Sequence, residues 1–146
     1  RACVVGTADD LGVRVSRWIE GDFDFTPDMR KEPTRFEDVI GRGVVQRNYV
    51  KHPAKGAWGV QTFKEETFDI PYRCLLPRQV EGLLMGAGRS VSASDPGQLR
   101  VMAHTMVVGQ GAGVAAALAA ADGCTPRQAS IARLQEELTR QGVVLR

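Results

Sequence analysis

Apolar residues along this chain change their spacing from short alternation at the start to helical repeats at the end. Ala2 to Val5 predicts a short strand, with Asp9-Asp10 and Gly12 as a turn. Val13 and Val15 alternate with Arg14 and Ser16, and Trp18-Ile19 extend this second strand until Gly21-Asp22 breaks it. Thr26-Pro27 reads as an N-cap with proline at the first helical position, and Pro33 keeps that helix short. Thr34 to Glu37 has capping-box spacing and predicts a short helix through Asp38-Val39-Ile40, closed by Gly41 or Gly43. Val44 to Val50 predicts a strand, His52 to Gly59 a loop, and Val60 to Ile70 a polar alternating strand stopped by Pro71.

The pattern then becomes denser. Leu83 to Ala87 is apolar throughout, as for a strand covered on both faces, and ends at Gly88-Arg89. Ser90 to Gln98 is a polar loop in which Asp95-Pro96-Gly97 encodes a turn. Leu99 to Ala121 is a long segment of small and apolar residues. Gly109, Gly111 and Gly113 interrupt its helix formers at a cost of about 1 kcal/mol each. Either something packs very close to that face, or the helix breaks near Gly109. Last, Thr125-Pro126 with Gln128 starts a helix carrying Ile131, Leu134 and Leu138 on one face; Glu136, Glu137 and Arg140 face out and Gly142 ends it. The order strand, loop, helix across residues 83 to 121 is the arrangement in which α/β folds bind ligands, and a helix start there suits a phosphate or an anionic ring oxygen.

Composition narrows the class. The chain has 146 residues, 43% hydrophobic and 25% charged, enough for one core. A net charge of +2 and a pI near 8.6 give no case for nucleic acid, and no uninterrupted apolar stretch of about 20 residues argues for a membrane. Cys3, Cys74 and Cys124 are odd in number and far apart, which predicts buried thiols and fits a reducing cytoplasm rather than a disulfide framework. His52 and His104 have no metal-ligand spacing, no paired carboxylates or nucleophile-base arrangement stands out, and no catalytic residue is assigned. Glu65-Glu66 and Asp9-Asp10 read as solvated turns. Gly111 to Ala116, GAGVAA, satisfies a dinucleotide fingerprint, but a capped helix follows where the second strand and its acid are required.

Four stretches in order give the chain a resemblance. FDIPYRCLLP, GLLMGAGRSVSAS and LRVMAHTMVVGQGAGVAAALAA, with RVSRWIEGDFDFTPDM and RFEDVIGRG upstream, resemble the C-terminal part of the FAD-dependent oxidoreductases, a branch of the two-dinucleotide-fold flavoproteins. The likeness spans about residues 14 to 145. It implies a mixed α/β or α+β chain: a partial FAD-binding fold, made of a last strand and a flavin-side helix, joined to a β-containing piece of substrate domain. Residues 1–72 would be the substrate-domain-like segment, 73–125 the FAD-binding part and 126–146 a packing helix.

The resemblance also assigns a cofactor site. Gly88 and Arg89 fall near the ribityl–pyrophosphate part of FAD, where the guanidinium can bind a phosphate. Arg100, Val101 and Met102 fall at the helix start beside the flavin ring, whose negative charge that helix end would stabilise. Gly109, Gln110 and Gly113 fall on the helix that packs near the cofactor. Arg73 either binds a substrate carboxylate or pairs with an acid in the core, and the second is preferred. The loop from Ser90 to Leu99 is shorter than the family's, and Ala103-His104 stands where Pro-Thr is common. His104 is read as a surface histidine, with a flavin- or substrate-facing position as the alternative. The implied partner is the N-terminal dinucleotide-binding half or a subunit carrying it, since the opening RACVVG reads as the tail of something under way; a homo-oligomer is a further expectation. The contrasting readings are a non-catalytic scaffold that binds no flavin alone and, more remotely, a dinucleotide module built on GAGVAA.

Overall fold

A computed structural model of the chain describes residues 6, 15, 17–31, 34–44, 49–51, 58–60 and 67–145. The order is α1 (Asp28–Lys31), β1 (Val39–Val44), β2 (Tyr49–Lys51), β3 (Trp58–Val60), β4 (Thr67–Pro71), α2 (Met102–Asp122) and α3 (Ile131–Arg140). Single 3-10 turns occupy Tyr72–Leu75, Pro96–Gln98 and Pro126–Gln128. The architecture is mixed α/β, in keeping with a partial FAD-binding fold. The expected strand at residues 2–5 and the turns at 9–12 and 65–66 lie outside the described residues. Of the second expected strand, residues 13–19, the described residues 15 and 17–19 join no ladder, and Ile19 N–H bonds the Ser90 carbonyl at 2.9 Å instead.

β1 and β4 pair antiparallel, from Val39 opposite Pro71 to Val44 opposite Thr67, with an irregularity between Val39 and Gly41. β2 and β3 form a separate antiparallel pair. Phe68, fully buried, lays its ring over Gly43, where a side chain would collide. On the other face Arg42 donates to Thr67 Oγ1 at 2.6 Å and lies 3.6 Å from Asp69. Asp69 also accepts from Arg35 at 2.9 Å and from the Phe36 amide at 3.3 Å.

α2 crosses β1 in steps of three and four residues. His104 meets Val44, Val107 lies over Gly41 and Gly111 receives Ile40. A methyl group at 111 would stand 2.7 Å from Ile40 Cδ1, so the missing side chain is what lets strand and helix approach. Gly109 is close too: a Cβ there would be 3.3 Å from the Gly86 carbonyl. The helix is therefore continuous through its glycines, and close packing explains two of the three. Gly113 has open space beside it. Val108, Ala112, Ala115 and Ala119 continue the buried stripe. Leu134 and Leu138 of α3 join the same core as Phe25, Ile40, Ile70, Leu75 and Val91. Gly123, at φ 63°, ends α2 with its N–H turned back to Ala119 and Ala120.

Three expectations are corrected. Residues 34–40 form no helix: Glu37-Asp38 is a turn and Val39-Ile40 open β1. The β-branched pair favours the strand, and the Asp38 carboxylate is committed to Arg73 at 2.7 Å rather than to a helix start. Residues 83–87 form no strand either. That segment is extended but joins no ladder, and Met85 N–H to the Leu75 carbonyl, 3.0 Å, anchors it. Leu83 and Gly86 are exposed, so the run is not covered on both faces. Finally, the Thr125–Gln128 box caps a 3-10 turn, and Ser130 caps α3 separately by accepting from the Arg133 amide.

α2, at 21 residues, is long and apolar enough to cross a bilayer. Its buried stripe against β1 and α3 is the packing of a core helix instead. The opposite side remains apolar and open, with Met102 78% and Met106 71% exposed.

Candidate functional site

The segment after Leu83 is led to the start of α2 by a series of short-range devices. Asp95 accepts from the Gly97 amide at 3.0 Å and caps the turn at Pro96–Gln98. Leu99 N–H closes that turn on the Pro96 carbonyl at 3.1 Å, and its side chain is fully buried. Ser90 N–H bonds the Ala87 carbonyl at 2.9 Å and folds residues 87–90 back. Gly88 then lies flat against residues 99–100. A side chain at 88 would run into the Leu99 carbonyl, and its Cβ would stand 3.3 Å from the Arg100 nitrogen. No other residue type permits this approach.

Arg89 and Arg100 are thereby brought onto adjacent strands of backbone. Arg89 is exposed and Arg100 half-buried, and neither has a hydrogen-bond or salt-bridge partner among the described residues. Val101 is the N-cap of α2 but supplies no side-chain cap. The first helical bond runs from Thr105 N–H to the Val101 carbonyl at 2.8 Å, which leaves the amides of Met102 and Ala103 pointing out of the helix. Both residues are exposed. Arg89, Arg100 and the uncapped helix start make one corner of the surface, in which the Asp95 carboxylate, beside Arg100 at Gly97, offsets part of the positive charge. Leu83, Met102 and Met106 are exposed apolar side chains of the segments that meet here, where the Gly86 carbonyl lies against Gly109.

Gly88, Arg89, Arg100, Val101 and Met102 are thus one cluster, and Gly109 continues it two turns along the helix, under the Gly86 carbonyl. Gln110 and Gly113 are not part of it. Gln110 donates to Gln141 at 2.9 Å, and Gly113 opens onto a groove shared with Glu137 and Gln141.

His104 is not a surface residue. It is 3% exposed, its Nε2 accepts from the Val44 amide at 3.0 Å, and its ring edge meets Phe68 at a centroid distance of 5.3 Å. Sequence spacing missed this because β1 was assigned elsewhere. Arg73 takes the structural option. It donates from its amide, Nε and Nη2 to Asp38 at 2.9, 3.0 and 2.7 Å, and its guanidinium stacks 5.1 Å from the Phe23 ring centroid. The Asp38 hydrogen bond raises its proton affinity further above the usual arginine range. Tyr72 donates to the Pro126 carbonyl at 2.8 Å, and burial, with Cys124 nearby, pushes it up to about 12. These groups line a groove of about 480 Å³ with Arg127 and Gln135, but Arg127 is committed to Glu81 and Asp22 and Gln135 to the Glu37 and Val39 carbonyls. Burial pushes the Cys74 thiol well above its ordinary range, so it stays protonated and inert. Among the described residues no group of histidine, cysteine and carboxylate side chains could hold a metal.

The comparisons with known proteins reach the level of family. No curated protein and no solved structure matches the chain. A sequence model of the family described as FAD dependent oxidoreductase matches residues 1–138, nearly the whole length. The chain belongs to the FAD dependent oxidoreductase family.

Proposed function

We propose that this chain supplies the flavin-side wall of an FAD-dependent oxidoreductase: the loop at Gly88-Arg89, the start of α2 at Arg100 to Met102, and the helix onward to Gly109. The observation that carries the reading is the uncapped first turn of α2, with Arg89 and Arg100 beside it making no ion pair among the described residues. The residues present fit FAD. An isoalloxazine ring needs an apolar surface with a few placed donors, and Leu83, Met102 and Met106 with the amides of Met102 and Ala103 are that combination. FAD also carries a pyrophosphate, for which the Arg89 guanidinium is a bidentate partner.

Bound FAD would supply the hydride and electron transfer. The protein's own part is binding and field. The helix start holds partial positive charge against an anionic ring edge, and Met102 and Met106 exclude water from one ring face. No catalytic residue is assigned.

The pyrophosphate-binding turn of such proteins is a G-x-G-x-x-G between strand and helix. GAGVAA does not serve here, because it lies within α2. The partner of this chain is accordingly a dinucleotide-binding half, and the open apolar side of α2 is the surface it would cover. The contrasting reading is a scaffold that binds no flavin on its own. An absorption spectrum of the purified chain, taken after adding FAD and desalting, separates the two. Retained or saturably perturbed flavin supports the wall. A folded sample that leaves the flavin spectrum unchanged at every concentration supports the scaffold.

A further inference from the structure

His104 is a buried polar side chain of α2 that the flavin-side reading leaves unused. It is the third residue of α2, in the same turn as the outward-facing amides of Met102 and Ala103. Most helices secure their first turn with a side-chain cap worth about 1 kcal/mol. α2 has none, because Val101 has no acceptor to offer. A start of this kind frays unless tertiary structure holds it.

β1 has the complementary problem. Among the described residues its sheet neighbour is β4, so amides on its other edge need a partner from elsewhere. The Val44 N–H, at the end of β1, is such an amide. Its bond to His104 Nε2, 3.0 Å, joins positions 60 residues apart and satisfies the strand edge while pinning the helix start. The edge contact of His104 on Phe68, at 77°, fixes the ring so that Nε2 faces the amide.

We infer that His104 is a positioning residue of the cofactor site, a tertiary substitute for the missing N-cap that keeps the Met102 and Ala103 amides aimed at their ligand. The inference rests on the flavin-side reading above. It requires an acceptor at the Nε2 position rather than a histidine as such. Glutamine reaches nearly the same place with its amide oxygen. Phenylalanine fills the space against Phe68 but accepts nothing.

The test uses the full chain as wild type, His104→Gln and His104→Phe, with two readouts on each: amide hydrogen exchange at Val44 and Thr105, and FAD binding by quenching of flavin fluorescence. With the loss of one hydrogen bond, exchange of both amides in His104→Phe is expected to rise about tenfold and FAD affinity to fall about fivefold to tenfold, with His104→Gln close to wild type in both. If His104→Phe does not fold, His104→Asn makes the same comparison, since its shorter amide stops short of Val44. Unchanged Thr105 exchange in a folded variant without the acceptor would overturn the inference, as would unchanged FAD affinity beside altered exchange. Absence of FAD binding in the wild type would overturn the flavin-side reading and the positioning role with it, while the exchange data would still show whether the latch exists.

Discussion

At the scale of residues, buried carboxylates decide how the upstream segment is held. Asp38 takes three bonds from Arg73, one from its backbone and two from its side chain. Arg73 is nearly half exposed, so the charge attraction is screened and the loss of the bonds dominates. Asp38→Ala should destabilise the chain by about 2–3 kcal/mol in urea unfolding. A loss below about 0.5 kcal/mol would mean that water replaces the carboxylate at no cost. Cysteine reactivity gives an independent check of burial. Cys74 is fully buried, with its thiol held protonated, whereas Cys124 is half-exposed. A thiol reagent should label Cys124 in the native chain and reach Cys74 only on unfolding. Isolation and odd number in the sequence predict buried thiols throughout, which holds for Cys74 and not for Cys124, while Cys3 lies outside the described residues. The role of Asp38 was not legible, because Thr34 to Glu37 has the spacing of a capping box and the residue that claims Asp38 lies 35 positions away.

At the scale of elements, α2 separates glycines that serve packing from one that does not. Gly111→Ala should cost about 1–3 kcal/mol, because Ile40 is buried and must move. Gly113→Ala adds a methyl in open space and should stabilise by up to about 1 kcal/mol through helix propensity. Thermal unfolding of the two variants should shift in opposite directions. The sequence raised both explanations for these glycines and could not choose, since the choice depends on which face of α2 meets β1. The C-terminal end of α3 has a pH dependence with a definite sign. Hydrogen bonds from Arg140, then Gln141, hold Glu137 down at about 2, from an ordinary 4.5. A depressed carboxyl stabilises above its unfolded value, so this contribution is present above pH 4.5 and is lost as pH falls toward about 2. Helicity at residues 137–141 should decline over that window in carboxyl and amide NMR shifts, and salt should weaken the effect. Of the elements, α3 and the turn at Asp95 were legible from caps and periodicity. Residues 83–87 were misread because an unbroken apolar run signals burial without saying by what, and here the flanks stay open.

At the scale of the whole molecule, the open apolar side of α2 and the positive corner at its start belong to one surface. Leu83, Met102 and Met106 are too exposed to be core, and together they should make the isolated chain self-associate. Sedimentation should show species above monomer mass, reduced by Met106→Glu; a monodisperse monomer at high concentration would contradict this. The order of motifs carried the family, and the placement of Gly88 and Arg89 beside Arg100 to Met102 followed that order. The outlying positions of Gln110 and Gly113 did not, because residues a few places apart on a helix face different neighbours. The central claim is that the first turn of α2 receives an anionic edge of FAD. The most direct test is a visible-absorption titration of FAD with the wild-type chain and with Met102→Asp. That substitution is exposed and favourable to a helix start, but it sets a negative charge on the amides in question. The account predicts a saturable change in the flavin band with the wild type and its loss in a Met102→Asp variant that remains folded. Equal titrations for the two chains, or no change with a folded wild type, would contradict it.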